Sequence, residues 1–343
     1  MIVVSFYLVS IFADFLSPYD YREQSRHQPA APPSKLHFRN LQGSWHARPF
    51  IYAQRLEDPL ARRYSENEQQ FYSIEFFTPG YSYKLFGLFA VNRHLFGVQG
   101  AGSGETPRVF LLGTDELGRD RLSRLIVASR FSLLVAPLAT LLAALLGVAI
   151  GCFAGYVARQ SAVQWIDTLL MRATDVVMAL PALIIILAAR AAFPLELPAS
   201  RAATLLICLF VGLGWAEMAR LTRGLVMEIR EREFIVAAVS MGMSPGRILL
   251  RHILPNASRP LIVQTLLMLP AFLLSETSLS FLGVGLQEPE ASWGSLLTAA
   301  ANINLLERDH AGQSFLLLLP ALAITIFVLG VRLLSSAMKR EDQ

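Results

Sequence analysis

Charge is scarce in this chain. Lys and Arg number 30, Asp and Glu 26, and together they make up 16% of 343 residues, against 54% hydrophobic. An ordinary soluble domain carries about 25% charged residues, and the mean hydropathy here is +0.46. A soluble globular domain is excluded; a membrane protein is indicated. The formal net charge of +4 suits a basic membrane face and calls for no nucleic acid. Cysteine is nearly absent: Cys152 and Cys208 both lie inside apolar runs, so there is no disulfide framework and no cysteine metal site. The six histidines show no metal-ligand spacing. No phosphate-binding G-x-x-x-x-G-K-[ST] occurs; Gly102-Ser-Gly104 lacks the lysine and the following helix. The chain is therefore not its own ATPase. No acid, base and nucleophile set appears. Neither catalysis nor a cofactor is indicated.

Long apolar runs are what the chain has. Met1 to Leu16 is apolar except for Asp14, without a basic flank and short of the roughly 20 residues a spanning helix needs. It reads as a first transmembrane helix whose beginning lies upstream. Five further spans follow: Phe131–Val157, rich in Gly and Ala and suited to close helix contacts; Trp165–Ala189, kinked at Pro181; Ala202–Ala219; Leu261–Leu286, with Pro270; and Phe315–Met338. The expected fold is an all-α membrane protein of six transmembrane helices, with a long external α+β insert between the first two. By residue number the parts are 1–17, first helix; 18–111, external insert; 112–130, an interfacial amphipathic helix; 131–338, a five-helix core with a cytoplasmic loop at 221–260; and 339–343, a tail. The loop from Leu221 to Pro260 holds six Arg and three Glu, whereas Leu286 to Ser314 holds one Arg against Glu288, Glu290, Glu307 and Asp309. The positive-inside rule puts the first in the cytoplasm and the second outside, with both termini cytoplasmic.

The insert is too aromatic for disorder and is expected to be a small α+β or β-rich folded unit. Tyr72–Phe76 and Tyr83–Phe86 read as short strands around a turn at Pro79-Gly80. Docking of a soluble partner and simple capping of the transmembrane core are both open to it. Within the spans, Glu276 stands among Ser275, Thr277, Ser278 and Ser280. Glu276, Ser278 and Ser280 are candidates for a translocation path or gate, and packing between helices is the competing reading. Arg172 and Asp175, one turn apart, are expected to pair locally. Glu217 is expected near water.

Glu233 to Pro255 is a polar, basic island between apolar runs. It reads as two short helices jointed at Gly242, the second capped by Ser244, opened by Pro245 and stopped before Pro255. Arg247, Arg251 and His252 keep it out of lipid. This stretch resembles the cytoplasmic loop of the membrane subunits of binding-protein-dependent ABC importers, whose pattern is E-A-A, three residues, Gly, a spacer, then I-L-P. Ala237, Ala238, Gly242, Ile253, Leu254 and Pro255 fall in place. The pattern's glutamate position is Val236; Glu233, one helical turn upstream, offers a carboxylate on nearly the same face. Leu112-Gly-Thr-Asp-Glu-Leu-Gly-Arg-Asp120 and Ser278-Leu-Ser-Phe-Leu-Gly283, with Ser292-Trp-Gly294, resemble the peptide and nickel branch of that family.

The resemblance implies a permease subunit in the inner membrane, working with a second permease, two ATP-binding subunits and an external solute-binding protein. It places Glu233, Ala237, Ala238, Gly242, Ser244, Arg247, Ile253, Leu254 and Pro255 against the ATPase. Di- or oligopeptides are the expected cargo. The rival class is a self-sufficient secondary transporter, which needs coupling-ion residues at the midplane and often repeated halves; Glu276 alone is a candidate, and no inverted repeat is visible.

Overall fold

The structure, a computed structural model, describes residues 1–40, 43–59, 62–85, 87–98, 108–158, 164–194, 197–300 and 318–340. The chain divides into two compact units, one of residues 1–133 with 286–325, the other of residues 134–285 with 326–343.

The first unit begins with α1 (Ile2–Ile11) and α2 (Ala13–Leu16), parted at Phe12. Ten residues rise about 15 Å, half the hydrocarbon thickness, so α1 does not cross a membrane on its own. Four antiparallel strands follow: β1 (His37–Arg39), β2 (Trp45–Asp58), β3 (Arg63–Leu85) and β4 (Phe89–Val98), in the order β1-β2-β3-β4. Between residues 18 and 111 the described residues hold strands and no helix, the β-rich one of the two expected forms. The sheet's core is Ile51, Ile74, Val98 and Val109, with Tyr72, Phe96 and Leu111 against it.

The turn expected at Pro79-Gly80 is not there: β3 runs straight through as one strand of 23 residues. Pairing of β3 with β2 ends at Phe50↔Ser73, while pairing with β4 runs from Ile74↔Val98 to Leu85↔Phe89. Pro79 thus lies where one side of β3 has no partner strand, so its missing N–H costs no ladder bond on that side. The register shifts between Pro79 and Tyr83. Gly80 leaves room for His94, whose Cδ2 would stand 2.5 Å from a Cβ there.

The segment 112–130 is likewise not a separate interfacial helix. Residues 111–120 form turns closed by a Thr114↔Asp120 bridge, and α3 (Arg121–Val157) then runs unbroken into the membrane-spanning stretch. The periodic Leu122, Leu125 and Ile126 belong to its first turns.

The second unit continues along α3 and holds α4 (Gln164–Ala179), α5 (Ala182–Ala191), α6 (Ala199–Arg230), α7 (Glu233–Ser240), α8 (Pro245–Ile248) and α9 (Leu254–Phe281), with a π turn over Leu249–Ile253. Two helices complete the described chain: α10 (Trp293–Ala300) in the first unit, and α11 (Leu319–Arg340). Among the described residues four helical stretches are long and apolar enough to cross a membrane: Arg121–Val157, Ala199–Arg230, Pro245–Phe281 and Leu319–Lys339. The pair α4 and α5, bent by 81° at Pro181, makes a fifth. Four or five of the expected six are thus seen among the described residues. The start of the last expected span at Phe315, the acidic Glu307 and Asp309, Gly102-Ser-Gly104 and the tail 341–343 lie outside the described residues.

In apolar surroundings hydrophobicity cannot sort the faces of a helix, and size does instead. On α3, Ala139, Ala143 and Ala144 are buried while Leu138, Leu141, Leu142, Leu145 and Leu146 are exposed. Gly147, Gly151 and Gly155 continue the small face onto α6: a Cβ at Gly151 would stand 2.3 Å from the Ala219 carbonyl oxygen, and one at Gly147 2.5 Å from that of Trp215.

Candidate functional site

The Glu233–Pro255 segment folds largely as its local signals dictate. α7 ends at Ser240, and Gly242 takes φ +77°, a conformation that costs a residue with a Cβ. Ser244 holds the N-cap position of α8 with Pro245 next, although the Ser244 side chain makes no capping bond. Pro255 is a correction: the chain does not stop there. The π turn carries α8 into α9, with Pro255 in the first turn. A wide turn with i→i+5 bonding displaces the α-helical bond that Pro255 cannot make, so the ring is tolerated.

The segment has two sides. Ile235, Ala238, Ile248 and Ile253 are buried in one cluster with Val226, Ile229 and Ala257, and Met243, Leu249 and Leu254 pack against it. The other side faces outward: Glu233, Ala237, Gly242, Ser244, Arg247 and Pro255 are exposed, with Phe234, Val236, Val239, Met241 and Leu250 forming an apolar surface among them. The nine residues marked in the sequence therefore separate into anchors (Ala238, Ile253, and Leu254 in part) and an exposed set. Glu233 has no ion-pair partner among the described residues, and Val236 is 55% exposed in the following turn. Among the described residues, apart from its two chain neighbours, nothing lies within 4 Å of where a Gly242 Cβ would stand. This is a rigidly backed knuckle with an open apolar and basic face.

The α6 and α4 helices behind it are joined by charge. Arg223 grips Asp167 with two hydrogen bonds, Nε–Oδ1 at 2.5 Å and Nη2–Oδ2 at 2.7 Å. Arg220 pairs with Asp175, which corrects the expected Arg172–Asp175 pair; both acids face α6 rather than their own helix. Arg230 donates to the Tyr156 carbonyl at 2.8 Å and stacks over its ring. Glu217 accepts from Gln264 Nε2 of α9 at 2.8 Å. Glu276 is fully buried and accepts from Ser280 Oγ at 2.8 Å, whereas Ser278 bonds its own helix at the Leu274 carbonyl. Ser278 is half-buried and turned to its own backbone, so it does not share the Glu276–Ser280 bond.

Sequence reasoning missed a second constellation, in the first unit. Asp115 accepts from Arg119 Nε at 2.6 Å and from Arg124 at 3.3 Å. Both arginines also bind Glu288, Arg124 Nη2 at 2.8 Å. Arg22 and Tyr21 bind Glu290 two residues on, the tyrosine hydroxyl at 2.7 Å. Burial raises the Glu288 carboxyl, but the hydrogen bonds from Arg124 and Arg119 outweigh it and hold the group below its ordinary value. Beside them Asp120 caps α3, accepting the Ser123 N–H at 2.9 Å and its hydroxyl at 2.6 Å. Burial lifts Asp120 to about 6 despite those bonds. Its Oδ1 has no hydrogen-bond partner among the described residues. The sequence signal lay in two motifs, LGTDELGRD and the run ending in Gln287-Glu288-Pro289-Glu290, which nothing in one dimension joins.

Long apolar helices packed through small residues, one of them bent, with an anchored two-sided knuckle between α6 and α9, are the features of an integral membrane protein. The chain belongs to the binding-protein-dependent transport system inner membrane component family, whose model matches residues 147–340. It is 33% identical over 227 residues to the dipeptide transport system permease protein DppC of Alkalihalophilus pseudofirmus, covering 66% of this chain and 69% of that one. It is 38% identical over 182 residues to the DppC of Bacillus subtilis, covering 53% of each. The fold resembles a chain of the MetNI methionine ABC transporter in an inward-facing form, with a TM-score of 0.51 and 16% identity over 64% of this chain and 96% of that one.

Proposed function

We propose that the chain is one of two permease subunits of an ATP-driven importer of di- or oligopeptides, and that the α7–Gly242–α8 knuckle is where ATP-binding subunits push. The observation that carries this reading is the two-sided knuckle. Ile235, Ala238, Ile248 and Ile253 fix it to α6 and α9, so displacement of its outer face moves those helices as bodies. Phe234, Val236, Val239, Met241 and Leu250 offer the apolar area a partner groove needs.

In this reading ATP binding closes two ATPase subunits, closure displaces α7 and α8, and α6 and α9 rock between two states of access. The ATPase's different affinity for those states supplies the shift. Glu233 stands in for the carboxylate missing at Val236. The knuckle faces the cytoplasm with both termini, and a solute-binding protein delivers cargo from outside. Glu276 and Ser280 act in packing or gating rather than as a cargo site, because both are buried and Glu276 accepts a hydrogen bond from Ser280. The peptide assignment rests on the named relatives. Uptake of a labelled dipeptide and of a labelled pentapeptide into proteoliposomes holding the complete complex tests it: ATP- and binding-protein-dependent uptake of either is expected. Uptake of neither, in vesicles that still show stimulated ATP hydrolysis, would remove the peptide assignment and keep the coupling.

A further inference from the structure

Beyond residue 73 the sheet is a ribbon of two strands. β3 and β4 pair from Ile74↔Val98 to Leu85↔Phe89 without β2 behind them. An isolated two-stranded ribbon is at best marginal in water and needs a surface to lie on. One support is visible. His94 hydrogen-bonds through Nδ1 to the Asp14 carbonyl at 2.8 Å, and Phe77 packs on Phe15 with ring centroids 6.1 Å apart. These contacts tie the ribbon to the end of α1 and α2, whose own Leu8, Ile11 and Phe12 are exposed apolar residues. The ribbon continues that apolar surface: Phe76 is 66% exposed, Phe77 56%, Phe89 64% and Leu88, at the tip, 79%. Exposed Lys84 and Arg93 flank them.

We propose that the β3–β4 ribbon is a membrane-surface anchor, lying in the headgroup–acyl boundary of the leaflet at which α1 ends. Leu88 and Phe89 enter that boundary, the aromatic residues form a local interfacial belt, and Lys84 and Arg93 meet lipid phosphates. Continuity with α1 selects lipid as the occupant rather than a soluble protein. The open edge of β4 sets the depth, because unpaired backbone N–H and C=O groups require water and exclude the hydrocarbon interior. The inference depends on the chain's membrane insertion and not on its cargo.

The test uses the full chain in lipid nanodiscs, with Cys152→Ala and Cys208→Ala as background and a nitroxide placed by Leu88→Cys, Phe89→Cys or, as a water-exposed control on β2, Glu57→Cys. Collision with oxygen is expected to exceed collision with a water-soluble nickel chelate several-fold at 88 and 89 relative to 57. Equal ratios at all three would overturn the anchor. Water access at 88 and 89 that disappears only on adding the binding protein would also overturn it, in favour of a protein dock. A label that disturbs the tip is controlled by Leu88→Trp, whose fluorescence increment over the parent should be quenched by acyl-brominated lipid and spared by iodide. The reverse pattern contradicts the proposal.

Discussion

Arg124 donates from Nη2 to Glu288 Oε1 at 2.8 Å, across 164 residues of sequence. That bond turns two separate stretches of sequence into one structure. Arg119 and Arg124 are 6% and 3% exposed, and Glu288 supplies half of their carboxylate partners beside Asp115. Removing a partner from a buried charge costs more than the pair itself contributes. Glu288→Ala is expected to destabilise the first unit by about 2 kcal/mol, discounted from the fully buried case because Glu288 is half exposed. Glu288→Asp, which keeps the charge, should recover part of the loss. Thermal unfolding in detergent measures both; equal midpoints for Glu288→Ala and parent would show that the network contributes nothing.

Asp120 titrates in the opposite sense from Glu288. Its folded pKa is raised from 3.8 to about 6, so the folded state binds the proton more tightly than the unfolded one. Stability is therefore greatest below the ordinary value and declines as pH rises to about 6, by about 3 kcal/mol for a shift of this size. Asp120→Asn keeps an acceptor for Ser123 and stays neutral. It is expected to match the parent near pH 4 and to unfold at a higher temperature above pH 6. A variant equally less stable at both ends would mean that the ionised cap is the favoured form.

Gly151 stands where a Cβ would collide with backbone on α6, and Gly212 where it would meet no other element among the described residues. Gly151→Ala is expected to lower stability by about 1–3 kcal/mol through overpacking. Gly212→Ala, inside α6, should instead gain about 0.5–1 kcal/mol from reduced backbone freedom. The comparison is made on purified protein by thermal aggregation. Tolerance of both substitutions would contradict close α3–α6 contact.

The knuckle was legible from sequence because its signals are local. Gly242, Ser244 and Pro245 each act on their own backbone, and a positive φ, a cap position and a first turn need no distant information. Pro255 misled for the same reason: as a local signal it ends a helix, and only the π turn before it lets α9 begin there. Packing faces were half legible, since Gly147, Gly151 and Gly155 mark a contact face but not the helix it meets. Charge partners were not. Asp175 has Arg172 one turn away in sequence and Arg220 in space, and choosing between them requires knowing that α4 lies on α6. The insert's strands were visible in its aromatic content, but the length of β3 depends on where β2 stops.

The central claim is that the α7–α8 knuckle receives the ATPase. Gly242 decides it most directly, because no described residue beyond its chain neighbours comes within 4 Å of a Cβ there and its φ is +77°. Gly242→Asn tolerates that conformation, whereas Gly242→Val does not. The measurement is co-purification of the ATP-binding subunits with each variant, together with cargo-stimulated ATP hydrolysis in the same preparation. The account predicts normal insertion for both, near-normal association for Gly242→Asn, and weak association with lost stimulation for Gly242→Val. Full association and stimulation in Gly242→Val would contradict it.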